Sequence, residues 1–198
     1  SGSSESYIDE DIKEINEKGI STYIQQLEQS EMGEGFWDYG LVSDLETSST
    51  NNNAYNVYLA AQCHQNVSAF LSEKMKISSL IEQRGDVHHL FPKDYLTKNH
   101  YLSKDYNQVA NYAYTEQATN IKVGNLPPKE YMEKVTQQIE QKKLDISSLT
   151  STDALEKNLQ QNDIPAMLNK AEHTDYKEFL QARRQLMAQK IKAYYAQL

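Results

Sequence analysis

The sequence has a single cysteine and no long apolar run. Cys63 has no partner within the chain, which excludes an intrachain disulfide framework and a zinc site built from several thiolates. No stretch of about 18 apolar residues occurs, so the sequence predicts no transmembrane helix. Its first residues also lack the basic-then-apolar pattern of a secretory signal. We therefore expect a protein of the cytoplasm.

Length and charge allow one compact domain with a true core. The chain has 198 residues, of which 38% are hydrophobic and 24% charged. The net charge of -8 is unevenly distributed, since residues 1–83 hold fourteen acidic and four basic side chains. Residues 84–129 hold six basic side chains against four acidic ones. This local excess is compatible with contact to a few phosphates, and equally with an ordinary solvated surface.

Apolar spacing predicts helices through most of the chain. Residues 1–5 are interpreted as a cloning scar or linker, which suggests a domain taken from a longer protein. The aromatic segment at 36–42 predicts a short part of the core. Helical periodicity covers residues 7–29, 54–64, 116–123, 128–139, 151–160 and 174–194. The sequence thus predicts a mainly helical α+β fold.

The segment from residue 86 to residue 124 has a different pattern. Residues 86–89 predict a short strand, residues 97–106 a polar loop, and residues 109–114 a second strand. Thr115 is the predicted N-cap of the helix that follows. The order is therefore strand, long loop, strand, helix.

Two adjacent histidines lie on the first predicted strand. Neighbouring side chains of a strand point to opposite faces, so His88 and His89 cannot duplicate one another. One imidazole can hold a metal ion while the other accepts a proton from water. Such a pair is by itself more often structural than catalytic, and its context favours the catalytic interpretation.

The context of the histidine pair matches a known motif. Residues 86–92 read DVHHLFP, and Asn111 and Asn120 follow nine positions apart. This pattern resembles the HNH signature of the ββα-metal, or His-Me finger, nucleases. Three other segments resemble the C-terminal nuclease portion of bacterial GmrSD-like proteins: NNNAYNVYLAA at 51–61, NIKVGNLPP at 120–128 and YKEFLQARRQLMAQK at 176–190. Those proteins join an N-terminal NTP-dependent domain to an HNH-type domain, and several belong to restriction or anti-phage defence systems.

The resemblance implies a role for each residue of the motif. His89 is the implied general base that deprotonates the attacking water. His88 and Asn120 are the implied ligands of one divalent cation, with Mg²⁺ or Mn²⁺ expected. Many relatives have Asp where His88 stands, and because imidazole also accepts Zn²⁺ or Ni²⁺, the identity of the metal stays open.

Further residues are assigned supporting roles. Asn111 occupies the middle position of the catalytic motif, where it is expected to tie the loop to the finger rather than touch substrate. Asp86 is a candidate acceptor that orients an imidazole, although it could equally pair with Arg84 or Lys93. Four lysines are candidate contacts to phosphate: Lys93, Lys98, Lys104 and Lys122.

Together these features predict a helical N-terminal part over residues 6–83, an HNH finger over 84–126 and a helical C-terminal part over 127–198. The predicted function is a metal-dependent DNA endonuclease, either nicking or cutting both strands, within a restriction or anti-phage defence protein. Its expected partners are DNA and the NTP-dependent domain of the longer protein, with a homodimer as a hypothesis for double-strand cleavage. The alternatives are a catalytically silent domain that binds DNA or a partner protein, and a purely structural metal site.

Overall fold

The computed structural model describes residues 21, 22, 25, 35–85 and 87–198. The predicted helix over residues 7–29 lies almost wholly outside the described residues, as does Asp86. A π-helical turn, Phe36–Gly40, continues directly into the first α-helix. The α-helices are α1 (Leu41–Asp44), α2 (Asn53–His64), α3 (Ile77–Glu82), α4 (Lys93–Lys98), α5 (Ser103–Tyr106), α6 (Gln117–Val123), α7 (Pro128–Glu140), α8 (Thr152–Gln161) and α9 (Tyr176–Tyr195).

The strands form one small antiparallel sheet. Strand β1 (Val87–His89) pairs with β2 (Tyr112–Tyr114), and His88 lies opposite Ala113. Short 3₁₀ turns cover Val109–Asn111, Ala166–Lys170 and His173–Asp175. The predicted mainly helical α+β class is therefore confirmed.

Local capping explains several helix starts that the sequence predicted. The Asn52 side chain accepts a hydrogen bond from the backbone N–H of Tyr55 at the start of α2. Ser151 accepts one from the Ala154 N–H at the start of α8, within one residue of the predicted start at 151. Pro128 occupies the first turn of α7, where its missing N–H costs nothing.

Three local predictions were wrong. The predicted polar loop over residues 97–106 contains the end of α4 and all of α5. Helix α5 forms there because the Asp105 carboxylate accepts a hydrogen bond from the Leu102 N–H at its start. The second strand starts only at residue 112, since a 3₁₀ turn precedes it. Thr115 does not cap α6, because its hydroxyl donates instead to the Phe70 carbonyl at 2.8 Å. Glu116 takes the N-cap position without a side-chain cap.

Helix α9 is packed along the core, against α1 and α2. Its apolar face includes Phe179 and Met187, each with no exposed surface, and burying side chains of this size contributes on the order of 1.5–3 kcal/mol each. Leu41 and Val42 are buried in the same cluster, and Phe36 and Trp37 pack against it, so the predicted core role is confirmed for these residues of the 36–42 segment. Tyr39, in contrast, is exposed. No helix in the described ranges is both long and apolar enough to cross a membrane.

A buried cation attaches α9 to the sheet. The Arg183 side chain is 1% exposed and donates to the carbonyls of Ala110 and Tyr112, and to that of Asn162 at 3.3 Å. Three backbone acceptors bind its two Nη atoms, while Nε is buried without a partner among the described residues. The position of β2 on the core is thus set by a residue about seventy positions later in the chain.

Candidate active site

His88 faces the core from the centre of β1. It is 3% exposed, and its ring lies 6.1 Å from the Phe70 ring at an interplanar angle of 14° and 6.3 Å from the Tyr131 ring. The next residue points to the other face, as strand geometry requires. His89 is half-buried there, with its ring 5.2 Å from Tyr112 and 6.2 Å from Tyr106.

The structure brings His88 and Asn120 into direct contact. Helix α6 begins soon after β2 ends, which places its second turn beside β1. The distance between His88 Nδ1 and Asn120 Oδ1 is 2.6 Å, across 32 positions of sequence. An amide oxygen only accepts, so Nδ1 carries the proton of this hydrogen bond. His88 Nε2 is then a buried acceptor without a hydrogen-bond partner among the described residues.

Burial controls the protonation of His88. Loss of solvent lowers the pKa of the imidazole to about 4, although the hydrogen bond to Asn120 opposes that shift. His88 is therefore neutral at physiological pH. Neutral imidazole is the form that binds a metal ion.

This pKa shift predicts a pH-dependent stability in the presence of a chelator. The unfolded imidazole binds a proton near pH 6.5 and the folded one only near pH 4, so the stabilisation is complete above pH 6.5 and is lost as pH falls towards 4. We expect the free energy of unfolding to fall by about 3 kcal/mol from this group alone. Urea unfolding gives the free energy of unfolding of the wild type and of His88→Gln at each pH. The contribution of His88 is the difference between their slopes against pH. Equal slopes would contradict it, and His64→Gln, an exposed site, is the control.

The contact between His88 and Asn120 fits part of the coordination shell of a divalent cation. An imidazole nitrogen and an amide oxygen bound to one ion lie about 3 Å apart, close to the 2.6 Å between His88 Nδ1 and Asn120 Oδ1. A cation held there would take the place of the Nδ1 proton, which would move to Nε2. Among the described residues, no group of three or more His, Cys, Asp or Glu side chains could hold a metal. A cation at this pair therefore needs water and phosphate oxygens as its other ligands.

Asn120 is also accessible from solvent. It lines a cleft of about 450 Å³ between the end of α3, with Arg84 and Gly85, and the start of α6, with Glu116 and Gln117. Arg84 has a positive φ of 52°, which turns the chain from α3 towards β1. The cleft thus gives a hydrated ion or a phosphate group access to Asn120, whereas His88 is not among its lining residues.

His89 is held by a residue that the sequence did not single out. Its Nε2 lies 3.0 Å from the Asn107 Oδ1, so Nε2 carries the proton and Nδ1 is left to accept one. Burial lowers the pKa of His89, the hydrogen bond to Asn107 opposes this, and the charge of Lys93 lowers it further. His89 is accordingly uncharged at physiological pH, and its Nδ1 is free to accept a proton. Nothing marked Asn107 in the sequence, because it directly follows the segment predicted as a polar loop.

Asn111 is fully buried and holds the loop between the strands. Its carboxamide accepts from the Phe91 N–H at 2.8 Å and donates to the carbonyls of Phe91 at 3.1 Å and Tyr106 at 3.0 Å. These bonds join the end of β1 to the end of α5, next to Asn107. Asn111 therefore positions the partner of His89 and has no surface to offer a substrate.

The candidate lysines are not gathered at one place. The Lys93 ammonium lies 5.8 Å from the centre of the Tyr106 ring, on the same side as His89. Lys98 and Lys104 are exposed on α4 and α5. The Lys122 ammonium donates to a backbone carbonyl in the segment after α7. Lys93 is the member of the set that the structure places beside His89.

Comparisons of the chain with protein-family models, with curated protein sequences and with solved structures found no match. The geometry of His88, His89, Asn107 and Asn120 is therefore what an assignment of function has to rest on.

Proposed function

We propose that this chain is an HNH-type endonuclease domain, a ββα-metal finger that hydrolyses DNA phosphodiesters with one divalent cation. The observation that carries the proposal is the 2.6 Å contact between His88 Nδ1 and Asn120 Oδ1. It joins the centre of β1 to α6, with α4, α5 and β2 between them in the chain. A second imidazole, His89, is adjacent in sequence, on the opposite face and half-buried.

In the proposed reaction, His89 Nδ1 accepts a proton from the attacking water. Asn107 fixes the tautomer and the ring orientation, and its amide oxygen stabilises the imidazolium that forms. Lys93 on the same side is suited to contact a phosphate oxygen of the substrate. When bound at His88 and Asn120, a divalent cation such as Mg²⁺ or Mn²⁺ supplies charge neutralisation at the phosphate and at the leaving oxygen.

The wider setting belongs to the same proposal. The likeness of three segments to GmrSD-like proteins supports a place in a cytoplasmic restriction or anti-phage defence protein. There the domain acts on DNA beside an NTP-dependent domain of the same longer protein. The catalytically silent alternative keeps DNA binding and predicts no turnover.

A plasmid assay tests the metal-dependent activity. We expect the purified chain to convert supercoiled DNA to nicked or linear forms with Mg²⁺ or Mn²⁺, and EDTA to stop the reaction. Asn120→Ala removes one ligand and should lower the rate about 100-fold, whereas Asn120→Asp keeps an oxygen ligand and retains more activity. Asn169→Ala, at an exposed position on a 3₁₀ turn, is the matched control.

Two outcomes would count against the proposal. Supercoiled DNA that stays intact with each metal favours the silent domain, provided that DNA binding persists. A structural metal is indicated if chelator sharply lowers the melting temperature and the chain does not cleave DNA even when no chelator is added.

A further inference from the structure

Three cations on α9 are buried, and only two have an evident structural role. Arg183 donates to three backbone carbonyls through its Nη atoms, although its Nε has no partner among the described residues. The Lys190 ammonium pairs with the Asp163 carboxylate at 2.8 Å. Arg184 is 9% exposed, and the one acceptor recorded for it is a neutral amide oxygen, Gln108 Oε1, 3.0 Å from Nη2. Its Nε is buried without a partner among the described residues. Within the described part of the chain, no carboxylate forms an ion pair with Arg184.

Arg184 lies on the wall of a cleft between α5 and α9. This α5–α9 cleft has a volume of about 250 Å³ and is lined by three cations and two carboxylates: Lys104, Lys177, Arg184, Glu46 and Asp105. The Asp105 carboxylate is occupied, because it accepts from the Leu102 N–H. The charge of Glu46 opposes the lowering of the Arg184 pKa by burial, but it does not reach the guanidinium as an ion pair. The cleft is therefore net positive.

Two tyrosines and one leucine complete the walls of the cleft. Tyr101 and Tyr176 contribute rings whose hydroxyls donate to backbone carbonyls, those of His173 and Asp105. Leu180 adds an apolar contact. A guanidinium with so few partners in a partly desolvated place is costly unless an anion completes its hydrogen bonds.

The α5–α9 cleft is linked to the base of the proposed reaction through consecutive residues. Asn107 holds His89, and Gln108, the next residue, holds Arg184. One peptide unit thus connects the two side chains that orient the imidazole and the guanidinium.

We propose that the α5–α9 cleft binds a backbone phosphate of the DNA substrate, a few positions from the bond cleaved at His89. The Arg184 guanidinium, held by Gln108, provides a fixed positive charge in the wall of the cleft, and Lys104 and Lys177 provide charge at the rim. This inference rests on the proposed function for its substrate. The cleft anchors the strand and takes no part in the proton transfer.

DNA affinity measured as fluorescence anisotropy of a labelled duplex tests the cleft. The double variant Lys104→Gln/Lys177→Gln changes two exposed side chains and leaves the core intact. We expect its dissociation constant to rise roughly tenfold, with the slope of log K against log salt reduced by about one for each lost phosphate contact. The control Lys170→Gln/Lys192→Gln removes the same charge at exposed positions outside the cleft and should weaken binding less than about twofold. Equal losses for the two double variants overturn the proposal.

Arg184→Gln, checked for folding by its melting temperature, should also raise the dissociation constant and leave the rate at saturating DNA unchanged. A change in that rate alone, with affinity intact, overturns the anchoring role. A second experiment measures stabilisation of the chain by inorganic phosphate. If that stabilisation depends on Lys104 and Lys177 but the affinity for duplex DNA does not, the cleft is a site for free phosphate and the DNA assignment fails. If the cleft variants bind DNA more weakly but the wild-type chain never cleaves DNA, the endonuclease proposal fails and the proposal for the cleft is supported.

Discussion

The His89→Ala variant is expected to cleave DNA about 10²–10⁴-fold more slowly than the wild-type chain, with unchanged affinity for DNA. The imidazole is half-buried, and its Nε2 is held 3.0 Å from Asn107 Oδ1, which leaves Nδ1 as the proton acceptor. Removing it takes away the base and no large part of the core. Single-turnover cleavage of a labelled duplex measures the chemical step separately from binding.

The controls for this prediction use the same assay. His64→Ala removes an exposed histidine outside the β1–β2–α6 unit and should cleave at the wild-type rate. Because burial lowers the pKa of His89, the wild-type rate should rise with pH to a plateau, with its midpoint below the usual histidine pKa near 6.5. A His89→Ala variant that cleaves at nearly the wild-type rate would exclude His89 as the base.

The Asp163→Asn variant is expected to lose about 3–5 kcal/mol of the free energy of unfolding at pH 7. Asp163 is 8% exposed; its carboxylate pairs with the Lys190 ammonium at 2.8 Å and accepts from the Tyr58 hydroxyl at 2.8 Å. Asparagine tolerates the positive φ of 55° at this position, so the loss reports the unpaired buried ammonium rather than backbone strain. Urea denaturation measures it, and the melting temperature should fall by roughly 10 °C.

A double variant separates the lost pair from the lost charge. In Asp163→Asn/Lys190→Met no buried ammonium is left without its counter-ion, so most of the stability should return. Burial lowers the pKa of Lys190, so the deficit of the single variant should shrink as pH rises and the ammonium loses its proton. Asp145→Asn, at an exposed position, is the control and should change stability by less than about 0.5 kcal/mol. A double variant no more stable than Asp163→Asn would contradict this account.

Much of the candidate site could be predicted from local sequence. Adjacent histidines before Pro92 require opposite faces on a strand, and the turn after β2 places Asn120 on a helix close behind it. The structure places His88 Nδ1 2.6 Å from Asn120 Oδ1, and their role as metal ligands, which the resemblance implies, stays a prediction.

Two short polar side chains, Asp105 and Thr115, were assigned to the wrong local structure. Asp105 caps a helix where the sequence predicted a loop, and Thr115 bonds to the Phe70 carbonyl where it was predicted to cap α6. A short polar side chain can bond to several backbone groups, and the choice among them depends on what the fold places nearby. Local sequence therefore could not decide these two roles.

The sequence by itself determined the mainly helical class, the starts of α2, α7 and α8, and the histidine pair, since periodicity and caps act within a few residues. Tertiary structure alone decided that Asn107 holds His89, that Arg183 secures β2 and that Arg184 faces a cleft. These contacts join positions 18 to 76 residues apart. Such partners are selected by the packing of the whole chain, because a buried polar group bonds to whichever complementary group the fold brings within reach.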